Sequence, residues 1–499
     1  MSAEEARAGQ AGHVVVVGGG IAGLAAAHRL LDRGARVTVL EAAGRVGGKL
    51  LPGEIAGVRV DLGAESILAR RPEAVTLARE VGLAGRLMPP GTASASIWTR
   101  GALRPMPKGH VMGVPGTAAA LSGLLSAEGL ARVERDADLP PTEIGDDVAV
   151  GEYVADRLGR EVVDRLVEPL LGGVYAGDAY RLSMRSAVPQ LFAAARAHTS
   201  LTAAVREIQD RTTAAPRQGG PVFTGIVGGV GQLPLAVAES VRARGGEIAT
   251  GTPATALRRT ADGWEVIAGE RVLTADAVVV ALPAGPAAAL LRAEAPAAAA
   301  ELSGVEYASM ALITLAYRRR DAELPEGSGF LVPPVDGRAI KAATFASRKW
   351  GWIAEEDPDL LVLRTSVGRY GESDILGRDD AGLVALSRRD LHAATGLAAE
   401  PVAARVTRWD DGLPQYPVGH HARVARIRAH LAALPGLAVC GAAYDGVGIP
   451  ACVASAHTAV DALGAALTGV PELTEAPGPT GVPELTGHPV PSARTRAGE

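Results

Sequence analysis

A chain of 499 residues with 47% apolar and 21% charged side chains has material for about three domains and a large buried core. Its 50 basic and 55 acidic residues leave a net charge of −5, without the basic excess that phosphate backbones demand, which excludes a nucleic-acid binder. Two cysteines, Cys440 and Cys452, exclude a disulfide framework and a cysteine-rich metal site.

The first ten residues carry charges and no apolar stretch, so no signal peptide is expected. The most apolar run, Val14 to Ala27, is broken by four glycines. It reads as strand, turn and helix rather than a membrane span. A cytoplasmic chain is expected, with peripheral contact at a membrane left open. His13–Val17 is a β-branched run suited to a strand buried on both faces of a parallel sheet. Residues 21–33 read as a helix closed by Gly34, and 36–41 as a second strand. Residues 110–215 are expected to be mostly helical, with apolar positions at helical spacing. A helix near 231–244 and short strands over 253–280 follow. Residues 305–370 alternate like strands, 379–396 read as a helix, and 436–468 as a strand, turn and helix. The tail from Gly469 repeats GVPELT and holds six prolines, and is expected to be disordered.

Gly18, Gly20 and Gly23 make a G-x-G-x-x-G pattern. With 62 glycines in the chain, chance alone supplies about one such match, so context decides. The glycines follow a buried strand and open a helix, and Glu41 ends the next strand. Such glycines let backbone approach a pyrophosphate, the helix N-terminus offers it free N–H groups, and the acid accepts ribose hydroxyls.

After Glu41 the segment Ala42 to Lys49, with Arg45 and Gly47-Gly48, resembles the E-x-x-x-R-x-G-G-[R/K] extension of flavin-dependent amine oxidases, phytoene desaturases and porphyrinogen oxidases. Asp61 to Ser66 resembles the segment along the flavin edge in those proteins. Cys440 to Pro450 resembles their second flavin motif, a helix start facing the isoalloxazine. Pro169 to Asp178, Gly228 to Pro234, Lys341 to Trp350 and Arg408 to His420 then resemble the flavin-dependent coproporphyrinogen III and protoporphyrinogen oxidase family.

That resemblance implies an α/β fold: an FAD-binding, two-dinucleotide-type Rossmann-like domain, a mixed-sheet substrate domain and a helical insertion. The expected division is FAD-binding at 12–92, 220–302 and 405–468, substrate-binding at 93–109 and 303–404, and helical at 110–219, with 469–499 as a tail. It implies one non-covalent FAD held by Gly18, Gly19, Gly20, Ile21, Ala22, Gly23, Glu41, Ala42, Arg45, Lys49, Gly63, Ala64, Glu65, Ser66, Ala254, Val447, Gly448 and Ile449. Gly173 and Tyr175 are expected on a loop over the active cavity. It also implies six-electron oxidation of coproporphyrinogen III by O2 in haem biosynthesis, with a chelatase downstream. Protoporphyrinogen IX oxidation is the alternative, and amine oxidation or carotenoid desaturation a remoter one.

Some relatives have arginine where this chain has Glu65, so Arg71 and Lys341 become the expected substrate-binding cations. Arg70 shares that candidacy with Arg71; by default the two are a solvated pair, and the need to bind carboxylates is what argues for a substrate role. The pair His420-His421 is expected to be structural, because adjacent histidines point apart, and no metal is expected.

Overall fold

The computed structural model describes residues 12–214 and 221–464. The expected tail at 469–499 lies outside them. A five-stranded parallel sheet runs Glu247–Ala249, Arg36–Leu40, His13–Val17, Ala277–Val280, Leu437–Val439. Val14 to Val17 and Ala277 to Val280 are buried along their whole length, as strands covered on both faces require. Helices Ile21–Asp32, Gln232–Ala243 and Ile449–Ala462 cover one face. Helices Ala284–Leu291, Pro296–Ser303 and His420–Ala432, with a three-stranded antiparallel sheet over residues 256–275, cover the other.

A seven-stranded mixed sheet runs Ala403–Pro414, Tyr307–Arg318, Leu360–Val367, Ile340–Thr344, Gly329–Leu331, Ser96–Thr99, Ala102–Pro105. Its first strand therefore crosses the expected boundary at 405. Ala311, Ile313, Leu315, Leu363, Val367, Ile340 and Ala343 form its outer face, packed beneath helix Asp380–Thr395. The opposite, inner face carries Ala316 and Val362 against the hairpin Pro52–Asp61. Beyond these come Thr314 opposite Arg364, then Leu312 opposite Ser366 and Ala342.

The third unit is helical. Asp136 and Arg157, 0% and 1% exposed, tie it together at 2.8 Å. Ser200 Oγ and the Thr202 N–H donate to the other Asp136 oxygen, so the buried carboxylate is satisfied on both sides. Within the stretch expected to be mostly helical, residues 119–138 hold the helix Ala127–Glu134 between two 3-10 turns, Ala119–Leu121 and Arg135–Asp138. Further along, Pro189 separates the helices Met184–Ala187 and Pro189–Ala197, because proline cannot continue the ladder.

Candidate functional site

The three glycines of the first turn are glycine for different reasons. Gly18 has φ +111°, and a Cβ there would stand 2.5 Å from the Ala281 carbonyl. A Cβ on Gly23 would stand 1.9 Å from the Gly18 carbonyl, so Gly23 lets the helix close onto the turn. Gly20 has ordinary extended backbone, φ −72° and ψ 175°, and a Cβ there would meet no atom within 4 Å. Fold sterics therefore do not demand glycine at Gly20, and the space beside it is open.

No side chain caps this helix, so the N–H groups of its first turn, from Ile21 and Ala22 on, face that space. Glu41 accepts from the Gly19 N–H at 2.7 Å and the Ala43 N–H at 2.8 Å. Ala42, between those partners, is exposed. Ala254 lies just past the segment whose Gly251 and Thr252 N–H groups bond Ala43 and Glu41.

Arg45 folds back to donate to the Val46 and Gly48 carbonyls, at 3.1 and 2.8 Å, and so braces the Gly47-Gly48 turn. Gly47 N–H donates to the Gly19 carbonyl. The two Gly-rich turns thus lie side by side, and a Cβ on Gly48 would touch only the Gly20 Cα, at 3.4 Å. The second helix start, Gly448 with Ile449 next, also lacks a side-chain cap. Gly446 before it has φ +142°, and Val447 packs on the helical unit. These open, uncapped turns suit a dinucleotide: glycine where the ligand needs room, free N–H groups for its phosphates, an acid for its ribose.

Asp61 to Ser66 joins these turns to the inner face of the seven-stranded sheet. A Cβ on Gly63 would stand 2.0 Å from the Lys49 carbonyl, and the Ala64 N–H donates to that carbonyl. Arg364 donates to the Gly63 carbonyl at 2.8 Å, and Trp409 Nε1 to the Leu62 carbonyl at 3.0 Å. Burial pushes the Lys49 ammonium down from its ordinary pKa. Asp61 accepts from the Val230 and Gly231 N–H groups, both at 2.9 Å, and burial still pushes its carboxyl up to about 7.

Glu65 meets Lys349 at 2.6 Å and Arg364 at 3.2 Å. Burial opposes its charge, but Arg364 and Lys349 outweigh burial and hold its pKa below the ordinary value. Lys349 also donates to the Ser66 hydroxyl. The cluster carries two cations against one anion. Sequence reasoning missed Lys349 and Arg364 as site residues, since they lie hundreds of residues from Glu65 and only folding pairs them.

The sequence-expected substrate residues fall differently. Arg71 precedes helix Pro72–Glu80 and pairs with Glu73 at 2.7 Å, its side chain 42% exposed. Lys341 is 5% exposed; burial, with Arg369 beside it, pushes its ammonium down to about 7.

The expected loop at Gly172-Gly173 is instead the end of helix Glu168–Tyr175. The Gly172 carbonyl accepts the Ala176 N–H at 2.9 Å, so it is committed to the helix and does not project from a loop. Gly173 is exposed, its nearest neighbour across the gap Leu331, whose strand partner is Ala342. Tyr175 packs in the helical core, edge-on to Tyr416 with ring centres 5.6 Å apart. Burial pushes its phenol up to about 12, and its carbonyl accepts from Gln415 Nε2 at 2.8 Å.

His420 is buried and stacked on Tyr416, and burial pushes its pKa down to about 4; His421 is exposed. Among the described residues no cluster of three His, Cys, Asp or Glu is placed to hold a metal ion. No helix among them is long and apolar enough to cross a membrane.

A cavity of about 420 Å³ lies between the helical unit and the seven-stranded sheet, lined by Asp164, Glu168, Asp178, Arg369 and Glu372 among others. Burial pushes Glu168 up to about 7. This acidic lining repels carboxylates.

Known proteins share this architecture. The coproporphyrinogen III oxidase of Mycobacterium tuberculosis is 40% identical over 456 residues, covering 89% of this chain and 96% of that protein. The coproporphyrinogen III oxidase of Bacillus subtilis is 34% identical, covering 90% and 98%. A crystal structure from Exiguobacterium sp. 255-15, provisionally named a protoporphyrinogen oxidase, superposes with a TM-score of 0.80 at 32% identity, over 91% of this chain and 99% of that one. Residues 21–464 match the flavin-containing amine oxidoreductase family. The chain therefore belongs to the flavin-containing amine oxidoreductase family and is an oxidoreductase of the porphyrinogen oxidase type.

Proposed function

We propose that the protein binds one FAD non-covalently and oxidises coproporphyrinogen III to coproporphyrin III in haem biosynthesis, reducing three O2 to three H2O2. The observation that carries the reading is the open space at Gly20 and Gly48 beside an uncapped helix start, in a chain 40% identical to a coproporphyrinogen III oxidase over most of its length.

Gly18 to Gly23 would hold the pyrophosphate, Glu41 with Ala42 and Ala254 the adenosine end, and Arg45 the turn that closes on it. Lys49, Gly63 to Ser66 and Val447 to Ile449 would line the flavin ring. Bound FAD supplies two-electron acceptance and reoxidation by O2, so a six-electron substrate takes three rounds. The free N–H groups at Gly448 and Ile449 place positive potential at their end of the site. Lys349 and Arg364, only half neutralised by Glu65, add a net positive charge at the segment Gly63 to Ser66.

The inner sheet face, with Leu312 and Ala342, offers an apolar floor for a tetrapyrrole. Arg71, at the rim, is assigned to a propionate carboxylate, and Lys341 to the macrocycle. Protoporphyrinogen IX, two propionates poorer, is the second reading; the protoporphyrinogen oxidase of Macaca fascicularis is 31% identical over 485 residues. We further propose a cytoplasmic protein that passes its porphyrin to a metal-inserting chelatase.

Denaturing the purified yellow protein and chromatographing the supernatant tests the cofactor. One FAD released per chain is expected; flavin retained on the chain, or FMN or NAD released, overturns it.

A further inference from the structure

Lys341 sits at an irregularity in its strand. Val367 pairs with Ile340 and Ser366 with Ala342, which leaves Lys341 without a partner on that neighbour. Ile340 and Ala343 belong to the outer core under helix Asp380–Thr395. Lys341 Nζ lies 4.0 Å from Met310 Sδ, and Met310 pairs with Trp409, which reaches the Leu62 carbonyl on the inner side. Two successive residues, Lys341 and Ala342, therefore share the inner face, as happens at a β-bulge. Strict alternation would have sent one of them into the outer core.

The amine reaches this place without a counter-charge. Among the described residues no carboxylate lies within ion-pair distance of it. The charged groups that face it are Arg369 and Glu372, which lie just beyond the Leu360–Val367 strand, and these pair with each other at 3.4 Å. A buried lysine without an anion is costly. Among the described residues its amine donates only to the Met310 thioether, a weak acceptor, at 4.0 Å. Burial and Arg369 lower its pKa to about 7, so a large share of the molecules carry a free amine at neutral pH. A free amine accepts protons; it is a poor partner for carboxylates.

We infer that Lys341 is the base of the reaction, taking the proton that the macrocycle releases in each two-electron round. This rests on the porphyrinogen reading above. In each round a C–H bond at a bridging carbon breaks and its electron pair leaves as hydride to the flavin, the two-electron oxidant. A second bond to hydrogen breaks in the same round, a pyrrole N–H in two rounds and a bridging C–H in the third, with its electron pair kept by the macrocycle to complete the new double bond, so that three rounds remove four bridging C–H and two N–H hydrogens. The proton joins the Lys341 lone pair. The substrate loses two electrons and two hydrogens, and the flavin gains the two electrons. The ammonium then returns its proton to water through the acidic cavity on the far side of Arg369 and Glu372, ready for the next round.

The test compares wild type with Lys341→Met and Lys341→Arg, flavin-loaded. It measures kcat and kcat/KM for coproporphyrinogen III from pH 5.5 to 9, and the binding of the product, coproporphyrin III, by fluorescence titration. Wild-type kcat is expected to rise through about pH 7. Both variants are expected to lose kcat roughly 100-fold or more and to lose that acid limb, as removal of a general base does. Product Kd should change less than about threefold, and the flavin spectrum should stay normal. Weakened product binding with kcat intact makes Lys341 an anchor and overturns the proposal, as does a retained acid limb in Lys341→Met. A wild type that does not turn over porphyrinogen overturns the functional reading itself, whereas active wild type with equally active variants overturns the base alone.

Discussion

Replacing Gly20 by valine separates the demands of the fold from those of the ligand. The backbone at Gly20, φ −72° and ψ 175°, suits any residue, and a Cβ there meets nothing within 4 Å. The flavin-free protein therefore loses only the difference between glycine and valine at a helix N-cap, on the order of 0.5–1 kcal/mol. That lowers Tm by no more than about 2–4 °C. The three added carbons fill the space in which a pyrophosphate must approach the first-turn N–H groups, so FAD affinity should fall at least about 100-fold, or about 2.7 kcal/mol. Gly23→Ala is the contrasting control. Its Cβ would stand 1.9 Å from the Gly18 carbonyl, so it should lower the flavin-free Tm as well. The assay is flavin content after purification, FAD titration of stripped protein, and thermal melting of both forms. Gly20→Val with full FAD content and unchanged affinity would falsify the assignment of that space to the cofactor. A collapse of its flavin-free Tm would show that Gly20 serves packing instead.

Glu65→Gln leaves Lys349 and Arg364 uncompensated in a largely buried cluster, and should cost about 3–5 kcal/mol in unfolding free energy; unchanged denaturant midpoints refute it. Asp136→Asn breaks the ion pair with Arg157, 0% and 1% exposed, at a similar cost of about 3–5 kcal/mol, yet should leave FAD content per folded molecule intact. Lys341→Met should stabilise the fold, and the sign is fixed by pH: the folded pKa of about 7 lies below the ordinary 10.5, so the unfolded chain binds the proton more tightly between those values. The wild type then gains stability as pH rises from about 7 to 10.5, and the variant's advantage, at most about 5 kcal/mol at pH 7, shrinks to nothing above 10.5; an advantage independent of pH contradicts a charged burial cost. Arg71→Ala removes a side chain that is 42% exposed and already paired with Glu73, so kcat/KM for coproporphyrinogen III should fall only about two- to fivefold, and less for protoporphyrinogen IX; equal losses on both remove the propionate role.

Local chemistry was legible in the sequence where neighbours along the chain decide it. Gly18, Gly20 and Gly23, between a β-branched strand and a helix, foretold the first turn, and Gly448 foretold the second helix start. Glu41 stands just past the second strand, next to where the sequence put it, and accepts from the Gly19 N–H, a bond the sequence did not announce. What depends on remote pairing was not legible. Glu65 read as a lost cation site, whereas Lys349 and Arg364 surround it with positive charge from distant strands and turns. Arg71 and Lys341 looked alike as cations. Folding gives Arg71 a surface carboxylate and buries Lys341 against Met310 with no ion-pair partner among the described residues. The loop expected at Gly173 and Tyr175 came from the family resemblance, and glycine is indeed a poor helix former. Burial of Leu171 and Tyr175 against the helical core overrides that preference, and Ala176, at φ +48°, ends the helix.

The central claim is tested most directly by giving the FAD-loaded protein coproporphyrinogen III and protoporphyrinogen IX side by side in air, with porphyrin absorbance and peroxide followed together. The account predicts a higher kcat/KM for coproporphyrinogen III and about three H2O2 for each coproporphyrin formed. Porphyrin formation no faster than in enzyme-free controls, with peroxide produced instead from an amine such as putrescine, would contradict it.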